Sequence, residues 1–184
     1  MIQVNMSAAK RTAFGKGECR RLRMAKKTPA VIYSKGEPSL PLLFDEKALY
    51  KDLLFIHRRN AVVTLHVEGD EKESRHAMVQ EIQKAPAAER VLHVDFLEID
   101  LNKPVCLEVP LQVTGTAKGV EMGGDLTVTK SSVMLRGCPL DIPDEIVADV
   151  TALDKGDHLA CSALTIPAKV EMLDDPAAVC ASVA

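Results

Sequence analysis

Residues 105 to 113 alternate without a break. Val105, Leu107, Val109, Leu111 and Val113 are separated by Cys106, Glu108, Pro110 and Gln112. Side chains on a strand repeat every two residues, so this segment specifies a strand with one buried face. A strand of this kind must find a sheet. The sequence offers further short strands at Leu126 to Thr129, Ser132 to Leu135, Ile146 to Val150, Ala168 to Leu173 and Val179 to Val183. Short strands separated by turns predict a mostly β region, with two packed sheets as one arrangement. The glycines Gly115, Gly119, Gly123 and Gly124 read as a flexible loop between strands. Trp is absent and only 3% of residues are aromatic, so the core must be aliphatic.

The first hundred residues carry helical signals as well. A strand begins near Val4 to Met6, and Gly15 and Gly17 favour a loop. Glu18 to Ala25 reads as a short helix with Cys19 and Leu22 inward, ended by Pro29. Ala30 to Tyr33 is a strand and Ser34 to Pro38 a turn. Leu40 to Phe44 is a strand that Pro41 confines to a sheet edge. Asp45 is placed to cap a helix over Glu46 to His57, whose Leu49, Leu53 and Ile56 form one buried face. Ala61 to Val67 alternates, Glu68 to Arg75 reads as a hairpin loop, and His76 to Ile82 as the returning strand. Val91 to Ile99 is one more strand, on which His93 and Asp95 share a face. The fold class is mainly β with a few helices.

Charge divides the chain. Residues 1–103 hold 18 Lys plus Arg against 14 Asp plus Glu, a net of +4, while residues 104–184 hold 5 against 12, a net of −7. A basic part followed by an acidic part predicts two domains with different partners, 1–100 and 104–184, joined by 101–103. The first fifteen residues lack the apolar core of a signal peptide, and no apolar run reaches the length of a membrane span. Five cysteines stand singly with no C-x-x-C pair, which favours neither a disulfide framework nor a zinc knuckle. These features predict a cytoplasmic chain with reduced thiols and no membrane partner.

Enzyme signatures are incomplete. Gly15-Lys16-Gly17 runs on to Arg20, so the third glycine of a dinucleotide fingerprint is missing. The later glycines lack the Gly-Lys-Ser/Thr of a P-loop, and no serine stands in a Gly-x-Ser-x-Gly elbow. His93 and Asp95 have metal-ligand spacing, but two ligands on one strand are too few for a site. The expectation is a protein that is not an enzyme, with no cofactor, no metal and no small-molecule substrate.

Lys10 to Lys27 is the outstanding segment. Eight of its eighteen residues are Lys or Arg, with Glu18 the single acid, a net of +7. Such a segment concentrates a positive field on a small surface, and lysine and arginine that neutralise phosphates release bound counterions. Gly15 and Gly17 let the backbone come close to a phosphate because no Cβ intervenes. Nucleic acid is therefore the partner that the residues favour.

The stretch Gly15-Lys16-Gly17-Glu18-Cys19-Arg20-Arg21-Leu22-Arg23, followed by Pro29-Ala30-Val31-Ile32-Tyr33, resembles the opening of the ribosomal protein number 25 family of the large subunit. Val79-Gln80-Glu81-Ile82-Gln83-Lys84-Ala85-Pro86 and Leu92-His93-Val94-Asp95-Phe96 match two more of its segments in order. Gly115-Thr116-Ala117-Lys118-Gly119-Val120, Gly123-Gly124 and Pro139-Leu140-Asp141-Ile142-Pro143 extend the likeness to the longer form of the family, called CTC or general stress protein. Ser34 stands where the family usually has glycine, and Cys19 where serine or alanine is commoner.

The resemblance implies a structural constituent of the large (50S) ribosomal subunit that binds 5S rRNA, with neighbouring ribosomal proteins as further partners. It implies a small N-terminal β-barrel with helices, and a mainly β C-terminal domain that is not the principal RNA binder. Carried over by position, the RNA contacts fall on Arg11, Lys16, Arg20, Arg21, Arg23, Tyr33, Gln80, His93 and Asp95. An RNA helix presents 2′-hydroxyls and base edges in a wide, shallow minor groove, where a histidine that donates and an aspartate that accepts can both be used. The rival reading is a stress-related protein-interaction module acting through the acidic C-terminal domain.

Overall fold

The computed structural model describes residues 1–34, 36–56, 60–70, 72, 74–86 and 90–184. The chain divides into two compact units, Ile2–Leu101 and Asn102–Ala184, the latter taking in Met1. The first holds β1 (Ile2–Lys10), α1 (Lys16–Met24), β2 (Lys27–Ser34), β3 (Glu37–Asp45), α2 (Glu46–Ile56), β4 (Ala61–Glu68), β5 (Arg75–Lys84) and β6 (Val91–Glu98). Its six strands close into a barrel in the order β1-β3-β2-β6-β5-β4, and β4 returns to β1. The joints β1/β4 and β2/β6 are parallel. A closed sheet has no free edge, so each strand needs one apolar face, directed inward. Met6, Ala8, Ala30, Ile32, Leu42, Phe44, Val63, Leu65, Val67, Ala77, Val94 and Phe96 supply it. Phe44 and Phe96 meet at 5.5 Å between ring centres.

Both helices are placed by local chemistry. Asp45 accepts hydrogen bonds from the backbone N–H groups of Lys47 (3.0 Å) and Ala48 (3.2 Å), which caps α2. Leu49, Leu53 and Ile56 then enter the barrel core. His57, the expected last residue of that helix, lies outside the described residues. α1 begins at Lys16, so Gly17 is helical and not part of a loop. The helix stops earlier than Pro29. Ala25 N–H bonds back to Arg21, Lys26 turns into the left-handed region (φ 58°), and Pro29 is already buried inside β2. Pro41 does not mark an edge either. β3 lies between β1 and β2, and the Pro41 carbonyl accepts from Arg11 N–H at 3.0 Å, one residue beyond the last residue of β1. Its missing N–H thus faces the side where β1 is already ending.

One end of the barrel carries an ion cluster. Arg75 Nε is 2.6 Å from Asp70 Oδ2, and Arg75 Nη1 is 3.0 Å from Glu98 Oε2. The Arg75 side chain is only 12% exposed, and the Asp70 hydrogen bond outweighs burial and raises the arginine above its ordinary value.

The second unit is also mainly β. It holds β7 (Val105–Thr114), α3 (Lys118–Glu121), β8 (Leu126–Val128), β9 (Ser132–Gly137), β10 (Ile146–Asp149), β11 (His158–Ala160), a 3-10 turn (Cys161–Ala163), β12 (Glu171–Met172) and β13 (Val179–Val183). One sheet runs β10-β7-β9-β12 and the other β11-β13-β8. Val109, Val133, Leu135, Ile146 and Ala148 of the first sheet share a core with Cys180 of the second. The expected strand at Ala168 to Leu173 shrinks to two residues, and β11 forms where the sequence showed no alternation. The glycine stretch is not an open loop. It contains α3, and a Cβ on Gly119 would come within 2.7 Å of both the Lys155 nitrogen and the Val183 side chain. Glycine is required there by close packing.

Candidate nucleic-acid interface

From His93 to Leu97 buried and outward positions alternate, so the buried Val94 and Phe96 direct His93, Asp95 and Leu97 to the outer barrel surface. Register then settles their neighbours. On β2, Val31 lies beside Asp95 and Tyr33 beside Leu97. On β5, Glu81 lies beside Asp95 and Gln83 beside His93. Adjacent strands thus bring Tyr33, His93 and Asp95 onto one outer face.

Gln80 reaches that face through an irregularity. The β5–β6 ladder passes from Val79 opposite Phe96 to Glu81 opposite Asp95, which leaves Gln80 as the extra residue of a bulge. A bulge re-aims the unpaired side chain, and Gln80 is exposed. The same slip turns Glu81 and Gln83 outward. Sequence reasoning passed over both, because strict alternation along β5 gives no sign of the bulge. Glu81 and Asp95 are like charges on facing positions, an arrangement that needs partners. Each has one. Gln83 Nε2 donates to Glu81 Oε1 at 3.2 Å, and His93 Nδ1 lies 2.5 Å from Asp95 Oδ1. A carboxylate only accepts, so Nδ1 carries the proton and the far ring nitrogen remains for another partner.

α1 brings the cations to this face. Arg23 Nε donates to the backbone carbonyl of Leu92 at 3.0 Å, the residue before His93. That bond fixes the helix beside the start of β6. Cys19 and Leu22 are half-buried, as their spacing predicts, while Lys16, Arg20 and Arg21 are exposed. Arg21 forms an i, i+3 ion pair with Glu18. Arg11 folds onto the helix. Its Nη1 donates to Cys19 Sγ at 3.1 Å, its guanidinium lies 5.6 Å from the Phe14 ring centre, and its Nε is buried with no hydrogen-bond partner among the described residues. A thiol is a weak acceptor, so Arg11 is left poorly satisfied in the free protein.

The expected residues therefore fall into two groups. Lys16, Arg20 and Arg21 project from α1, with Arg11 and Arg23 at its base. Tyr33, Gln80, His93 and Asp95 stand on β2, β5 and β6. The cations suit phosphates and the second group suits directional hydrogen bonds. No group of three or more His, Cys, Asp or Glu arranged to hold a metal ion occurs among the described residues. None of the helices is long and apolar enough to cross a membrane, among those residues.

Comparison with known proteins follows the same division. The family model described as the Ribosomal L25p family matches residues 6–96, and that of the ribosomal protein TL5 C-terminal domain matches residues 104–184. A protein of Desulfotalea psychrophila named large ribosomal subunit protein bL25 is 41% identical over 183 residues, covering 100% of this chain and 99% of its own. The chain belongs to the ribosomal L25p family. Relatives of the same name occur in Halothermothrix orenii, 35% identical over 94% of this chain and 78% of its own, and in Syntrophomonas wolfei, 30% identical over 100% and 87%. The L25p family is one of ribosomal proteins and not of enzymes. The longer form expected from the sequence is the form found, since both family models match in order.

Proposed function

We propose that the chain is a structural constituent of the large ribosomal subunit, working in translation in the cytoplasm, and that its barrel unit binds 5S rRNA. The observation that carries this reading is the Arg23–Leu92 bond, which holds the cationic helix α1 against the strand bearing His93 and Asp95. The names of the relatives support the ribosomal assignment.

Lys16, Arg20 and Arg21 meet phosphates across one strand of the RNA, and their neutralisation releases counterions. Arg11 turns from its thiol partner to a phosphate, a far stronger acceptor. The barrel face then lies along a shallow minor groove, where Tyr33, Gln80 and the outer nitrogen of His93 reach ribose hydroxyls and base edges. Asp95 gains nothing from phosphates. It orients His93 and offers its free lone pairs to a base amino group or a 2′-hydroxyl. Residues 1–100 and 104–184 act as separate domains joined by 101–103.

Two measurements test the reading. Residues 1–103 should bind 5S rRNA nearly as well as the whole chain, and comparable binding by residues 104–184 would overturn it in favour of the acidic domain. Arg20→Ala with Arg21→Ala should reduce the slope of log affinity against log salt by about two. An unchanged slope would remove both from the phosphate contacts.

A further inference from the structure

The acidic unit contains a pair of thiols for which RNA binding has no use. Cys161 opens the 3-10 turn directly after β11, and Cys180 is the second residue of β13. Both are enclosed in the core, 0% and 1% exposed. The β11–β13 ladder slips between Leu159 and Ala160, and Cys161 N–H donates to the Ala178 carbonyl at 2.9 Å. The slip brings the two cysteines together with their Sγ atoms 2.9 Å apart. A disulfide bond is roughly 2.0 Å long, so little movement separates the pair from a covalent link. No third His, Cys, Asp or Glu completes a metal site with them among the described residues.

We propose that Cys161 and Cys180 are an oxidisable pair, which peroxide converts into a disulfide that ties the turn after β11 to β13. One sulfur, as thiolate, attacks a peroxide oxygen. An S–O bond forms, the O–O bond breaks, and hydroxide leaves to take up the proton. The second sulfur then attacks the sulfenic sulfur, so that S–S forms, S–O breaks and water leaves. Two thiols are oxidised and one peroxide becomes two waters. Peroxide is small enough for an enclosed site. Burial sets the pace, because burial and the Cys161 hydrogen bond push the Cys180 thiol up to about 12, and the thiolate is the reactive form. Reaction therefore waits on opening of this corner, where β8 and β11 have three residues each and give β13 only short partners. Once formed, the bond closes a loop that contains the turn and β12, and it removes freedom from the unfolded chain.

The test uses the full chain. It is treated with hydrogen peroxide, its remaining thiols are alkylated in denaturant, and tryptic peptides are mapped without reduction. Cleavage after Lys169 separates the two cysteines. The expected result is a joined Cys161–Cys180 peptide lighter by two hydrogens. The unfolding midpoint of the acidic unit should rise by about 10 °C, reversibly with a thiol reductant. Cys106→Ser should keep both effects, whereas Cys161→Ala and Cys180→Ala should each abolish them. The proposal is overturned if both peptides come back alkylated while the exposed Cys106 is oxidised. It is equally overturned if the link forms only after unfolding, or forms without raising the midpoint.

Discussion

The two units solve the problem of a small aliphatic β core in different ways. The barrel closes one six-stranded sheet on itself and fills it from every strand, with α2 adding Leu49, Leu53 and Ile56. The acidic unit divides its strands between two open sheets, several of them only two to four residues long. Closure leaves the barrel no edge to protect, so its outer surface can carry charge and directional polar groups. The open sheets depend on turns, on tightly packed glycines and on side chains that bridge short strands. The basic unit is thus a closed sheet and the acidic unit an assembly of short strands, and single substitutions should act on them differently.

Phe96→Ala should have the largest effect. It removes a fully buried ring at the barrel centre and should cost about 4 kcal/mol. Denaturant unfolding followed by probes in each unit would measure it. The barrel transition should shift while that of the acidic unit stays in place, and a joint shift would end the idea of two units of separate stability.

Arg75→Met should come next, at about 3 kcal/mol, because the largely buried Asp70 carboxylate loses its 2.6 Å arginine partner and Glu98 keeps, among the described residues, only the longer pairing to Lys72 at 3.5 Å. Restoring stability by adding Asp70→Asn would identify the unneutralised buried charge of Asp70 as the cause. A variant as stable as the natural chain would show that the barrel end is held by packing alone.

Asp95→Asn sharpens the comparison on the side of recognition. It should cost about 1–3 kcal/mol of binding to 5S rRNA, as for a charge-assisted hydrogen bond, with no matching loss on a scrambled duplex. Paired affinities at one salt concentration would show this, and equal losses on both RNAs would make Asp95 a folding residue.

The smallest expected effect lies in the acidic unit. Asp174 accepts from Lys130 Nζ and from the Met134 backbone N–H, each at 2.7 Å, and these bonds hold its carboxyl below the usual range against a smaller opposing effect of burial. Its contribution is complete above the ordinary carboxylate range and is lost as pH falls through the depressed value. Asp174→Asn should therefore lower the urea midpoint of this unit slightly at pH 6. The difference between the two proteins should shrink steadily as pH falls below the ordinary carboxylate range, and a difference independent of pH would refute the linkage.

Periodicity and caps determined much of this molecule from sequence alone. The alternation from Val105 to Val113 fixed β7, Leu49, Leu53 and Ile56 fixed the buried face of α2, and Asp45 fixed its start. Such signals are local, since each depends on a repeat or a cap within a few residues. The spacing of His93 and Asp95 likewise set them on one strand face. Tertiary structure alone decided what surrounds them. Closure turned Pro41 from an edge marker into a barrel residue, and the left-handed turn at Lys26 ended α1 before Pro29 could. The bulge at Gln80 shifted the register and set Glu81 and Gln83 beside Asp95 and His93. The bond from Arg23 to Leu92, across 69 residues of chain, ties α1 to β6, while Arg11 on Cys19 and the half-buried Cys19 and Leu22 hold its inner face. Cys161 and Cys180 met because a ladder slipped by one position. Register and closure are long-range pairings, settled by the fit of whole faces and not by any short pattern, so no window of the sequence contains them.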